Sequence, residues 1–140
     1  MMLYSGVVGL PVVTLGEAAE LGTVAGLEVD VARSGIAGVR VSGRGRGTTV
    51  LPWAALHAVG ADAVLVESGA GAEGERRRGA VPKVVGLRVL SEEGEERGVV
   101  TDVAFDAVTG RLEKLLTDLG EIPAGAVRGL GDYAWVVTAG

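Results

Sequence analysis

The chain has 140 residues, a mass of 14.1 kDa and a net charge of −5, which suit one ordinary domain or two small ones. Glycine contributes 24 residues, and an interior glycine costs a helix about 1 kcal/mol relative to alanine. A mostly helical fold is therefore excluded, as are disulfides and cysteine-based zinc sites, because the chain has no cysteine and one histidine.

The first half of the chain shows the pattern of short strands joined by turns. Leu27, Val29 and Val31 alternate with acidic residues, which predicts a strand with one buried face. A hairpin turn follows at Ser34-Gly35, because glycine tolerates the positive φ of tight turns. The other predicted elements are a returning strand over 36–41, a loop at 43–47, an end of sheet pairing at Pro52, one helical turn within 53–59 and a closing strand over 63–66.

A glycine-rich, charged segment without apolar periodicity then follows. It predicts a flexible linker or a long surface loop over residues 69–82. The predicted units on either side are residues 1–68 and 83–140.

The second half repeats the first. Residues 21–30 align with 97–106 at an offset of 76, and residues 60–66 align with 131–137 at an offset of 71. The five-residue difference falls in the 43–48 loop. Val103, Phe105 and Ala107 take the place of the first apolar face, and Thr109-Gly110 takes the place of the first turn. Five or six short strands per copy are typical of a small barrel.

The order of these motifs resembles the PRC-barrel family. The second copy carries it best, in residues 98–106, in Thr109-Gly110-Arg111 and from Ile122-Pro123 to Val137; the first carries residues 22–30, Leu51-Pro52 and 60–66. The resemblance implies an all-β fold of two tandem small PRC-type barrels, which we expect to pack with pseudo-twofold symmetry. It also implies roles in assembly and protein contact rather than catalysis, as in the reaction-centre H subunit and a ribosome maturation factor.

Three titratable residues are candidates for chemistry. His57 stands where the second copy has Arg128, which favours a solvated surface residue over a functional one. Asp30 and Asp106 each precede a hairpin. A pair of carboxylates can perform acid–base catalysis, but an aspartate before a turn more often caps backbone N–H groups. No catalytic, cofactor or metal site is predicted.

Arginines and one tryptophan form the candidate interaction surface. Its members are Arg44, Arg46, Trp53, Arg76, Arg77 and Arg78. A solvated hairpin tip is the simpler interpretation of Arg44 and Arg46, because their loop has neither further repeats nor nearby aromatic residues. A solubilising linker is the simpler interpretation of the second cluster, because Glu73 and Glu75 offset its charge. Trp53 and Trp135 are expected to fill a barrel or the interface between barrels.

Three functions remain open. The favoured one is a non-catalytic protein-interaction or assembly module with an unknown protein partner. The alternatives are a small-molecule binder or hydrolase that uses the cleft between the barrels, and an RNA-associated assembly factor.

Location and assembly follow from composition. No apolar stretch reaches the ~18 residues of a membrane-spanning helix, and we expect a cytoplasmic protein with no membrane insertion. The predominance of Arg over Lys indicates a bacterial, GC-rich genome. The apolar stretches over 7–13 and 81–87 are predicted to pack one barrel on the other, with any remaining patch available for a homodimer.

Overall fold

The computed structural model describes residues 1–43, 45, 47–67 and 74–139. Within these residues the chain forms fourteen strands, one four-residue helix and two 3₁₀ turns, so the predicted all-β class is confirmed. The elements up to the middle of the chain are β1 (Met2–Leu3), α1 (Tyr4–Val7), β2 (Pro11–Thr14), β3 (Glu20–Asp30), β4 (Gly35–Ser42), β5 (Thr48–Pro52), a 3₁₀ turn (Trp53–Ala55), β6 (Leu56–Val59), β7 (Val64–Val66) and β8 (Glu75–Arg77). Those that follow are β9 (Arg88–Ser91), β10 (Glu96–Phe105), β11 (Leu112–Thr117), β12 (Gly120–Pro123), a 3₁₀ turn (Ala124–Ala126), β13 (Val127–Leu130) and β14 (Ala134–Val137).

The two halves build sheets of the same order. The first runs β6-β7-β2-β3-β4-β5-β8, and the second runs β13-β14-β9-β10-β11-β12 with β1 added on β10. In each sheet one pair is parallel, β2 with β7 and β9 with β14, and the other pairs are antiparallel. Equivalent glycines at positive φ also turn the chain into each sheet: Gly9 donates its N–H to Val24 O, and Gly86 donates to Val100 O. The predicted repeat is therefore a repeat of structure.

The tips of the β3–β4 and β10–β11 hairpins exchange backbone hydrogen bonds. Ile36 N–H donates to Gly110 O at 2.8 Å, and Leu112 N–H donates to Ser34 O at 2.9 Å. Ile36 is equivalent to Leu112 in the repeat, and Ser34 is equivalent to Gly110, so the two bonds are equivalent. Between them, Gly35 and Arg111 form an antiparallel bridge. A pseudo-twofold axis therefore passes close to that bridge, as the sequence predicted.

The segment that leads into each unit lies on the other unit. In β1, Met2 pairs with Phe105 of β10, which belongs to the second sheet. The residues before the second unit lie on the first, where the guanidinium of Arg40 donates to the carbonyls of Gly79 and Ala80 at 3.4 and 3.2 Å. The halves are thus joined by crossing segments as well as by the hairpin tips.

The core is one continuous apolar cluster that draws on both sheets. Its largest member, Trp135, is fully buried, and its indole N–H donates to Val84 O at 2.9 Å. Val7, Val12, Val84 and Leu87 are also buried. The two predicted apolar lead-in stretches are therefore used for packing inside the chain.

Three sequence expectations differ from the structure. Glu75–Arg77 lies within the predicted linker, yet forms strand β8 on β5. In the first hairpin the positive φ falls on Ser34, at 52°, and not on Gly35. On β10 the predicted alternation of buried and wet faces fails, because Asp102, Val103, Ala104 and Phe105 are buried in succession. At this end of β10 the strand β1 pairs with its edge, and Ser5 of the following segment contacts Asp102.

Candidate functional site

One groove lies where the two units meet. Its volume is about 620 Å³, within the usual range of ~300–1,000 Å³ for ligand pockets. One wall comes from the β3–β4 hairpin and the 3₁₀ turn after β5, and the other comes from the second hairpin; the lining residues are Asp30, Arg33, Ser34, Gly35, Ile36, Ala37, Pro52, Trp53, Ala54, Thr109 and Arg111. Both units therefore contribute to one surface.

Trp53 forms the apolar part of this groove and also connects the units. Its ring meets Phe105 edge to face, with centroids 6.0 Å apart, and its indole N–H donates to Val108 O at 3.3 Å. Gly110 lies against the same ring, so closely that a Cβ there would stand 2.8 Å from the indole. The predicted interface role of Trp53 is confirmed within the chain, while its half-buried ring still lines the groove.

The charged part of the groove is positive overall. Arg33 lies 3.8 Å from Asp30 with its side chain 88% exposed, so this ion pair is weak. Arg111 is exposed and forms no ion pair with any residue that the structure describes. Two arginines against one aspartate give a local positive field on a chain whose net charge is −5.

The two candidate carboxylates, Asp30 and Asp106, accept hydrogen bonds from backbone N–H groups of their own hairpin turns. Asp106 accepts the N–H groups of Val108 and Thr109 at 2.8 and 2.9 Å, and these bonds hold its pKa below the ordinary value of 3.8. Asp30 accepts the N–H of Arg33 at 3.2 Å. Asp30 lines the groove and Asp106 does not. The structure therefore places both as turn caps, which was the favoured interpretation, and does not bring them together in the groove.

His57 and Arg128 occupy equivalent exposed positions. His57 Nδ1 lies 3.4 Å from Glu67, and Arg128 Nε lies 3.4 Å from Glu92. His57 lines a separate groove of about 170 Å³ that it shares with one edge of Trp53. The expectation of two solvated side chains agrees with this placement.

The structure describes only part of the predicted arginine clusters. Arg44 and Arg46 lie outside the described residues. Arg76 and Arg77 are exposed on β8, where Arg76 donates to Thr49 Oγ1 at 3.2 Å and Arg77 pairs with Glu75 at 3.0 Å; Arg78 follows the strand and is exposed. Trp53 lines the groove between the units, whereas the described residues of β8 do not.

The sequence analysis missed two buried charges that hold the crossing segments. Asp102 is 9% exposed and accepts the N–H and the hydroxyl of Ser5, and Arg40 is 6% exposed and pairs with Glu28 at 3.1 Å. Both interrupt runs of strand-forming residues: Arg40 lies between Val39 and Val41, and Asp102 precedes Val103. A charge inside such a run is the signal that could have indicated them.

Among the described residues, no helix has the length and apolar character to cross a bilayer. Across the same residues, no three histidine, aspartate or glutamate side chains are grouped so that they could hold a metal ion.

A tandem of small β-barrels related by a pseudo-twofold axis defines the class of fold, and comparison with known families agrees. The PRC-barrel domain matches the chain twice, over residues 1–73 and 79–133. The protein therefore belongs to the PRC-barrel family, as a tandem member. A search of curated proteins finds no match to the chain.

Proposed function

We propose that this tandem PRC-barrel protein is a non-catalytic interaction module that receives a protein partner in the groove between its barrels. The observation that carries the proposal is that one groove of about 620 Å³ draws its walls from both units. A partner seated there contacts the two halves at once. The proposal includes a cytoplasmic location in a bacterial cell, on the composition of the chain.

The lining of the groove supports recognition of a protein segment. Trp53 offers a half-buried aromatic face, and Arg33 and Arg111 offer exposed guanidinium groups beside it. Tryptophan and arginine are the residue types that most often dominate binding energy at protein interfaces. The positive local charge favours a partner that presents acidic side chains.

The carboxylates favour this interaction role over the hydrolase alternative. A general base needs an oxygen that can accept a proton from a substrate or water. The Asp106 carboxylate accepts two backbone N–H bonds, and these lower its pKa and so weaken it as a base. Asp30 accepts a backbone N–H of its own turn.

Site-specific photocrosslinking in the native host tests the proposal. A photoreactive amino acid replaces Ala54, which is exposed and lines the groove, and in a matched control it replaces Glu93, which is exposed in the β9–β10 turn. We expect a discrete crosslinked protein at Ala54 that is absent at Glu93. We also expect Arg111→Glu to reduce this crosslink, because it reverses a charge in the groove.

Two outcomes contradict the proposal. One is equal crosslinking at both positions, which indicates nonspecific contact. The other is protection of Ala54 by a low-molecular-weight host fraction without any crosslinked protein, which favours the small-molecule alternative.

A further inference from the structure

The repeat allows a direct comparison of two equivalent sheet edges. Strand β5 and strand β12 follow the same returning strand, pair with it in the same register and end at a proline, Pro52 and Pro123. In the first unit β8 pairs antiparallel with β5, with Arg76 opposite Thr49 and Glu75 opposite Val50. In the second unit, within the described part of the chain, β12 pairs with β11 alone.

Residues 49–51 of β5 are less exposed than the equivalent residues of β12, as expected if only β5 has a strand on its outer edge. Thr49 and Val50 are half-buried and Leu51 is buried, whereas the equivalent Gly120 and Glu121 are exposed and Ile122 is half-buried. An open strand edge presents unpaired backbone N–H and C=O groups, which another extended segment can satisfy. Pro123 does not prevent this, because β8 pairs with Thr48–Val50 and stops short of Pro52.

A groove of about 350 Å³ lies along the open edge. All four residues of β12 line it, together with Leu119, which is 75% exposed, and with Glu96 and Arg97 at the start of β10, on the far side of β11 in the sheet order. Successive residues of a strand face opposite sides of the sheet, so Glu121 and Ile122 offer a charged and an apolar contact in alternation.

We propose that the open edge of β12 is a strand-addition site for an extended segment of a partner protein in which basic and apolar residues alternate. The segment pairs antiparallel with Gly120 and Glu121, in the place that β8 takes on β5. Its basic residues meet Glu121 and Glu96, and its apolar residues meet Ile122. The site is separate from the groove of the proposed function, and the proposal does not depend on it.

Charge selects a basic partner over a second copy of this chain. Two antiparallel copies of β12 would bring two Glu121 side chains into one small interface, and like charges opposite each other destabilise a strand pair. Lys114 lies 3.0 Å from Glu121, but the carboxylate is 62% exposed and so remains open to a second cation.

Amide NMR with a defined peptide tests the inference on the full chain. The probe is the N-acetylated and C-amidated hexapeptide Thr-Arg-Val-Arg-Val-Thr. We expect it to shift the backbone amides of Leu119–Ile122 and of Glu96–Arg97, and to leave β5 and the Trp53 groove unchanged. Two control peptides replace the first valine with proline, which removes a ladder donor, or both arginines with glutamate.

A matched pair of variants tests the charge. Glu121→Lys is expected to weaken peptide binding about fivefold, since it turns an opposite-charge cross-strand pair into a like-charge pair. Glu113→Lys makes the same change at an exposed residue of β11 outside the groove, and we expect it to leave the affinity unchanged. Glu96→Lys serves as a second groove variant if Glu121→Lys alters the amide spectrum of the free protein.

Several results overturn the proposal. They are the absence of shifts at β12 with millimolar peptide, equal shifts with the proline peptide, equal weakening by Glu113→Lys and Glu121→Lys, and shifts at β12 that depend on protein concentration without peptide, which assign the edge to a second copy. None of them bears on crosslinking at Ala54, so failure here is distinct from failure of the proposed function.

Discussion

Ser5 donates its backbone N–H, at 3.1 Å, and its hydroxyl to the carboxylate of Asp102, a residue 97 positions further along the chain. The bond ties the N-terminal segment to the second barrel. At the equivalent place in the first barrel, Gly26 faces Val81, whose Cγ1 would lie 2.4 Å from a Cβ on the glycine. The two crossing segments are thus held by different chemistry, a hydrogen-bonded charge in one barrel and close apolar packing in the other.

Removal of the Ser5 hydroxyl should destabilise the whole chain. We expect Ser5→Ala to lower the free energy of unfolding by about 1–2 kcal/mol, because the buried Asp102 carboxylate loses a donor. Denaturant unfolding measures this, and a cycle with Asp102→Ala isolates the pair. Additive effects of the two substitutions would show that the two residues are not coupled.

Trp53 is expected to contribute more to the free energy of unfolding than an ordinary half-buried residue does. It contacts Phe105, Val108 and Gly110 of the other barrel. We expect Trp53→Ala to lower the free energy of unfolding by roughly 2–4 kcal/mol, through lost packing between the barrels. Tyr133→Ala, which removes an aromatic side chain that is 62% exposed, is the control and should cost well under half as much. Equal costs would contradict an interface role for Trp53.

The strands, turns and repeat could be predicted because each depends on local pattern. Pro52, Pro123 and the apolar alternation of residues 27–31 act within a few residues of themselves. The crossing segments could not be predicted, since Met2–Leu3 has no local signal that assigns it to Ala104 and Phe105 of β10, far along the chain. The same holds for β8, whose charged residues form a strand only because β5 offers an open edge. In the candidate site, the sequence analysis identified Trp53 as a site residue but not Arg33 or Arg111. The three side chains lie in one groove because two hairpin tips that are distant in sequence pair with each other.

The predicted linker over residues 69–82 can be tested by limited trypsin digestion. We expect the first cut after Arg78, which is exposed and follows β8, rather than within β8, whose backbone is paired. The nicked halves should remain associated, because β1 and the segment at Gly79 and Ala80 each lie on the other barrel. Size-exclusion chromatography with light scattering checks this. Early cuts at Arg33 or Arg111, or free halves after nicking, would contradict the arrangement.

Asp106 should make stability depend on acidity. Its pKa in the folded chain is lowered by the N–H groups of Thr109 and Val108, so the folded state favours the ionised carboxylate. The resulting stabilisation is complete above the ordinary pKa of 3.8 and is lost as the pH falls through the lower, folded pKa. We expect the difference in melting temperature between the parent chain and Asp106→Asn to shrink in that range. Glu113→Gln, at an exposed residue of β11, should show a smaller change. A difference that is constant from neutral pH downward would contradict the role of the charge.

Ser34 and Gly110 occupy the same place in the two hairpins, but only the glycine suits the backbone found there. Ser34 has φ 52° and Gly110 has φ 76°, and side chains are disfavoured in this region. Ser34→Gly relieves that strain but adds freedom to the unfolded chain, so we expect it to raise the free energy of unfolding by no more than about 1 kcal/mol.

Gly110→Ser should instead destabilise the chain by more than about 2 kcal/mol, because its Cβ would also collide with the Trp53 ring. In the Trp53→Ala background the collision disappears, and Gly110→Ser should cost only its backbone strain. Thermal and denaturant unfolding of the four variants measures both effects. An equal cost of Gly110→Ser with and without the tryptophan would show that the ring does not restrict this position.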